Sequence, residues 1–396
     1  MARRTITVVL AALLALTGLF AGSVAASADD VKHEAGELDG VPYRVEVPAD
    51  WNGTLLLFSG VLYNGQLGLA TYPATEQWAL GHGYALAGTP KSWDIGAGVR
   101  SQLALLDWFD HHVGTPRHTV SWGTSLGGLT AVVLAERNPS RVDGVVSVCG
   151  PLAGTVSTWN GFLDLNFAIK TLLAPGSDLQ LVHLSDPAGD QQKLQQIVEG
   201  ALATPRGRAR LALANALADV PGWFTALQPR SSDVETQVRQ QGAFDIAAFD
   251  ITGGGMRADI ERQAGGNPSW NVGVDYRGLL AHSSERRLVQ QAYRQAGSDL
   301  PADLDRLANA PRIRPDERAV TYLARYGTPR GTTPTPVVTL HTTGDVLAVS
   351  EHERRYAEQV RRSGDPAEVR QLFSVGGVQP AFVPYTPGQF LRPFQS

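Results

Sequence analysis

The stretch Gly123-Thr124-Ser125-Leu126-Gly127 constrains this chain more than any other, because of what flanks it. Ahead of it, Arg117-His118-Thr119-Val120-Ser121-Trp122 reads as a short buried strand. Behind it, the run from Gly128 to Arg137 reads as a helix. A serine set as Gly-x-Ser-x-Gly between a strand and a helix predicts a turn sharp enough to leave the hydroxyl exposed. The flanking glycines let the two backbones approach closely. Ser125 is therefore expected to be a nucleophile rather than a surface turn residue.

The surrounding sequence has a strand–helix rhythm. Tyr43 to Val47 reads as a first strand, and Asn52-Gly53 as a turn into Thr54-Leu55-Leu56-Leu57-Phe58. A continuous apolar run of that kind suits a strand covered on both faces of a parallel sheet. Tyr84 to Gly88 and Gly144 to Val148 read as further strands, with a helix expected over about residues 96–112. The rhythm breaks after Pro151. From about Gly154 to Thr333 the chain is rich in Ala, Leu, Gln and Arg at helical spacing, as in Gln191 to Leu202, Gly207 to Ala218 and Glu285 to Ala296. Strand character returns at Val337 to His341, followed by a helix over Glu351 to Arg362 and a last strand over Val369 to Ser374.

The amino terminus predicts a leader. Arg3-Arg4 precedes an apolar run from Ile6 to Phe20, and Ala26-Ser27-Ala28 offers a small-residue cleavage site. That pattern is a secretory signal over residues 1–28, too short and wrongly flanked for a stable membrane span. The protein is thus expected outside the cell. The remaining 368 residues suit one large core with an insertion. A net charge of −4 gives no footprint for nucleic acid. Only four lysines occur (Lys32, Lys91, Lys170 and Lys193), and arginine supplies the other basic residues. One cysteine, Cys149, allows no intrachain disulfide and is expected to pack in the core, and no Cys/His cluster has zinc spacing. Phe58, Tyr63, Trp122 and Trp159 are expected mainly as core packing near strand ends, with an apolar acyl pocket as the alternative.

The order strand, Gly-x-Ser-x-Gly, helix, strand, helical block, strand followed by Asp, helix and strand resembles the α/β-hydrolase superfamily, from about Tyr43 to Ser374. Within it, Trp51-Asn52-Gly53-Thr54-Leu55, Trp122 to Gly128 and His341-Thr342-Thr343-Gly344-Asp345 resemble secreted actinobacterial serine hydrolases with large helical caps. The resemblance implies an α/β fold with a mostly parallel central sheet. It divides the chain into a core over 29–153, a cap over 154–333 inserted before the acid-bearing strand, and a core again over 334–396. It implies Asp345 as the triad acid, and an oxyanion hole from the N–H groups of Leu126 and Val61, the latter in Ser59-Gly60-Val61 where the superfamily usually has His-Gly-x. No metal or organic cofactor is required.

The departure is the base. The superfamily places its histidine after the last strand, but here that region reads Phe373-Ser374-Val375-Gly376-Gly377-Val378-Gln379-Pro380, and no histidine follows His352. Neither Val378 nor Gln379 can take a proton from serine. His341 and His352 are the foremost substitutes, His282 and His183 lesser ones, and His33, His82, His111, His112 and His118 are expected at the surface or in packing. Three explanations compete: a relocated histidine, a degenerate hydrolase that binds without turnover, or a tail altered relative to relatives. The expected function is a serine hydrolase cleaving a small ester, amide or short peptide through an acyl-enzyme. The alternatives are a non-catalytic binding protein and, less favoured, an aminopeptidase-type enzyme. Oligomeric state is not legible.

Overall fold

A computed structural model describes residues 31–63, 66–224 and 229–376. The leader expected over residues 1–28, and positions Val378 and Gln379, lie outside the described residues. The centre is an eight-stranded sheet. It comprises β1 (Val31–Leu38), β2 (Val41–Pro48), β3 (Thr54–Gly60), β6 (Ala85–Pro90), β7 (His118–Thr124), β8 (Gly144–Val148), β9 (Val337–Thr342) and β10 (Val369–Ser374). Their spatial order is β1-β2-β6-β3-β7-β8-β9-β10. The pairs at the β1–β2–β6 end are antiparallel and all the others parallel. A separate two-stranded ribbon joins β4 (Leu62–Tyr63) to β5 (Gln66–Leu67).

Strand β3 shows why the sheet is covered on both sides. Its seven residues are all buried. Leu55 and Leu57 join one apolar cluster, Leu56 and Phe58 another, as side chains alternating across a pleat must. The first cluster lies under α2 (Ile95–His112), α3 (Leu126–Arg137) and α14 (Glu351–Ser363), which contribute Leu105, Leu129 and Tyr356. On the other face α1 (Pro73–Leu80) supplies Ala79 and Trp78. Phe58 and Trp122 pack there at 4.4 Å between centroids with their rings tilted by 45°, and both are buried as core residues.

Among the described residues, ten helices separate β8 from β9, from α4 (Thr155–Leu173) to α13 (Glu317–Gly327). Much of this block has a core of its own, running from Leu165 to Leu307 and touching the remainder through Val346. Within it α6 (Pro205–Ala216) is central, with Leu211 and Leu213 fully buried.

Candidate active site

Ser125 is the first residue after β7 and stands immediately before α3. Its backbone has φ 60° and ψ −126°, a conformation that an L-residue adopts only under constraint. The constraint is visible on both sides. Ser125 N–H donates to Val148 O at 2.8 Å, which ties the turn to β8. A β-carbon on Gly123 would fall 2.5 Å from the Gly127 backbone, and one on Gly127 would collide with Ser59 O. Strand, turn and helix therefore pack so tightly that only glycine fits at either flank. Leu126 opens α3, where first-turn N–H groups lack intrahelical partners and the helix dipole favours negative charge. Val61 is the first residue past β3, the strand next to β7. The expected oxyanion donors thus flank Ser125 along the carboxyl edge of the sheet.

Asp345 lies in the turn after β9 and is fully buried. Its Oδ1 accepts the N–H groups of Leu347 and Ala348, both at 3.0 Å. Its Oδ2 is 3.8 Å from His341 Nε2. The thiol of Cys149, at the end of β8, belongs to the same cluster. Burial and the Asp345 charge raise that thiol's pKa well above its ordinary value, so it behaves as a packing group.

The two foremost base candidates are held in other work. His341 Nδ1 faces Glu353 Oε1 at 3.1 Å, and Nε2 faces the carbonyl of Ala348 at 2.5 Å. Both partners accept hydrogen bonds, so both ring nitrogens must donate, which only the imidazolium can do. Burial pulls its pKa down, but Glu353 and Asp345 outweigh burial, and the net direction is up. An imidazolium has no lone pair to receive the serine proton. Cys149, His341 and Asp345 place potential ligand atoms within 4.8 Å of one another, with both His341 nitrogens already engaged by Glu353 and Ala348. His352, on α14, accepts the N–H of Ala153 at Nδ1, 3.1 Å away. Burial, then the charges of His341 and Arg355, push its pKa down to about 3. Its Nδ1 lone pair is therefore occupied and its Nε2 carries the proton.

His282 and His183 both sit on the helical block and are exposed. His282 bonds Gly278 O through Nδ1 at 2.7 Å, and His183 lies 3.8 Å from Asp316. Among the described residues no imidazole nitrogen is within hydrogen-bond distance of the Ser125 hydroxyl. Glu353 is the residue that the sequence did not single out. It is buried on α14 and also takes Thr339 Oγ1 and Gln371 Nε2, each at 2.6 Å, so one carboxylate ties α14 to β9 and β10. No local motif marks it, because its side-chain partners come from two other elements, β9 and β10.

A cavity of about 1270 Å³ opens between the helical block and the turn after β9. Asn160, Asp164, His282, Val346, Leu347 and His352 are among its lining residues, whereas Ser125 and Asp345 are not. Trp159 is buried against Trp93 and Phe162 rather than facing this space.

A family model described as alpha/beta hydrolase fold matches residues 80–174, which include the elbow. An o-phthalyl amidase from Xanthobacter agilis is 30% identical over 383 residues, covering 86% of this chain and 81% of that protein. The chain belongs to the α/β-hydrolase family. Among solved members of that fold it is similar to brefeldin A esterase, a bacterial homologue of human hormone-sensitive lipase. That match has 14% identity, 98% coverage of this chain and 80% of the other, with a TM-score of 0.39. It is also similar to mouse alpha/beta hydrolase domain-containing protein 10, at 11% identity, 88% and 90% coverage and a TM-score of 0.37.

Proposed function

We propose that this α/β hydrolase cleaves an amide or ester by acyl transfer to Ser125. The observation that carries the reading is the backbone of Ser125, held at φ 60° between two glycines that nothing larger could replace. Strain of about 1–3 kcal/mol is kept where it presents a side chain, and here it lifts one hydroxyl off the end of β7. In this reading Ser125 Oγ attacks the carbonyl carbon, the N–H groups of Leu126 and Val61 hold the oxyanion, and water later releases the acyl group. Asp345 supplies the buried negative charge that a proton-accepting partner needs. His341 and His352 serve structure, so the acceptor is a group other than these two. The amidase relative favours an amide among possible substrates. We also read residues 1–28 as a leader removed on export, from the Arg3-Arg4 and Ala26-Ser27-Ala28 pattern.

One observation favours a second reading, that of a hydrolase fold which binds without turnover: among the described residues the Ser125 hydroxyl has no imidazole beside it. General-base assistance is worth about 10²–10⁴-fold, so its loss would leave a slow enzyme at best. Labelling with a fluorophosphonate probe, with Ser125→Ala as control, separates the two. Labelling and amide or ester turnover that both vanish in Ser125→Ala are expected. A folded protein that neither labels nor turns over supports the binding reading.

A further inference from the structure

Lys91, Val61 and Ser125 occupy one line. Each is the first residue past its strand (β6, β3 and β7), and these three strands are neighbours in the sheet. Lys91 N–H donates to Gly60 O at 2.7 Å, which fixes it beside the oxyanion loop. Two strand spacings put its Cα about 10 Å from that of Ser125. Its side chain is partly buried.

The chain's other lysines are all satisfied. Lys32 pairs with Glu34 at 3.3 Å, Lys170 donates to Leu179 O at 2.6 Å, and Lys193 bridges Asp178 and Asp190 at 3.1 and 3.2 Å. Among the described residues the Lys91 ammonium has neither a hydrogen bond nor an ion pair. The carboxylates close by in chain and packing are engaged. Asp94 takes the Ala97 N–H and the Tyr322 hydroxyl and lies 3.9 Å from Arg100. Glu76, on α1 packed against β6, takes the Leu69 and Ala70 N–H groups and pairs with Arg44. A partly buried cation without a protein counter-charge is open to pairing with an anionic ligand. Burial alone lowers its pKa to about 8, so at neutral pH it is still mostly charged.

We infer that Lys91 is the specificity-determining anchor for an anionic group on the substrate: the acyl half carries a carboxylate that pairs with its ammonium while the scissile carbonyl sits at Ser125. The inference rests on the acyl-transfer reading and names its substrate class. It requires the protonated amine, so recognition weakens as pH rises through about 8. Lys91 acting instead as a proton acceptor would require the neutral amine and reverse that sign.

The test compares p-nitrophenyl butyrate with the mono-p-nitrophenyl ester of glutaric acid on the full protein, for wild type, Lys91→Met and Lys91→Arg. The quantity read is the ratio of kcat/KM, anionic over neutral ester. It should fall about tenfold or more in Lys91→Met, recover largely in Lys91→Arg, and decline in wild type above pH 8. A ratio indifferent to Lys91→Met overturns the inference, and leaves the hydrolase reading standing if both rates still vanish in Ser125→Ala. Rates for both esters that fall together in Lys91→Met, with wild-type turnover rising through pH 8, also overturn it and make Lys91 the base. If the folded protein turns over neither ester, the acyl-transfer reading fails, and calorimetric binding of glutarate decides on its own. Binding weakened tenfold by Lys91→Met upholds the anion site; equal or absent binding removes it.

Discussion

His341 and His352 lie eleven positions apart in the chain and titrate in opposite directions, because one is surrounded by acceptors and the other by a donor and cations. His352 is neutral in the fold down to about pH 3, while the unfolded chain protonates it near 6.5. Stability from this residue is therefore present above pH 6.5 and lost as pH falls toward 3, by up to about 1.4 kcal/mol per pH unit. His341 has a raised pKa, so its contribution is present below pH 6.5 and lost as pH rises through its folded value. Urea unfolding across pH should show a maximum near 6.5. His352→Gln should flatten the acid limb and His341→Gln the other; a pH profile untouched by both substitutions would contradict these assignments. The turn that carries Ser125 was legible at this scale, because its signal is local: two glycines, a serine and their flanks. The environments of the histidines were not, since Glu353, Ala348 and Ala153 reach them only through tertiary packing.

At the scale of elements, continuous or near-continuous apolar runs marked β3 and β8, and the chain builds them where the sequence placed them. Strand β9 and the helix behind it were legible for the same reason. Outside the helical block four elements were missed. Strand β1 reads Val-Lys-His-Glu-Ala-Gly-Glu-Leu and is largely exposed, so it carries little hydrophobic period. Its signal was the Asp39-Gly40 turn, where both residues take positive φ (52° and 76°) as a two-residue hairpin requires. The short β4–β5 ribbon and α1, whose apolar face is weak, were also passed over. Two predictions belong here. Gly127→Ala forces a β-carbon into Ser59 O, so the elbow must open; fluorophosphonate labelling of Ser125 should slow by about a hundredfold or more, consistent with the sensitivity of reaction to ångström misplacement. Labelling at the wild-type rate would mean the turn is looser than its geometry implies. Glu353→Ala strands the buried His341 charge and unties α14 from β9 and β10, and should cost about 3–5 kcal/mol in denaturant unfolding.

Among the described residues the molecule carries separate apolar cores, one on each face of the sheet and, within the helical block, a large one beside a smaller one around Trp159. Leu57→Ala in β3 and Leu213→Ala in α6 each remove a fully buried side chain and should each cost about 2–5 kcal/mol. Their effects should differ in place. Hydrogen exchange should accelerate mainly in the helical block for Leu213→Ala and mainly in the sheet for Leu57→Ala. Uniform acceleration in both would show a single cooperative unit instead. The lone thiol sits where this difference can be timed. Cys149 is fully buried at the end of β8, behind the turn that holds Ser125, and its raised pKa keeps it protonated. A thiol reagent can reach it only when that end of the sheet parts. The chain therefore comes with a built-in clock for the opening of the sheet edge that carries Ser125, and it will accept a dye on a cysteine introduced at the surface without first losing the one it has.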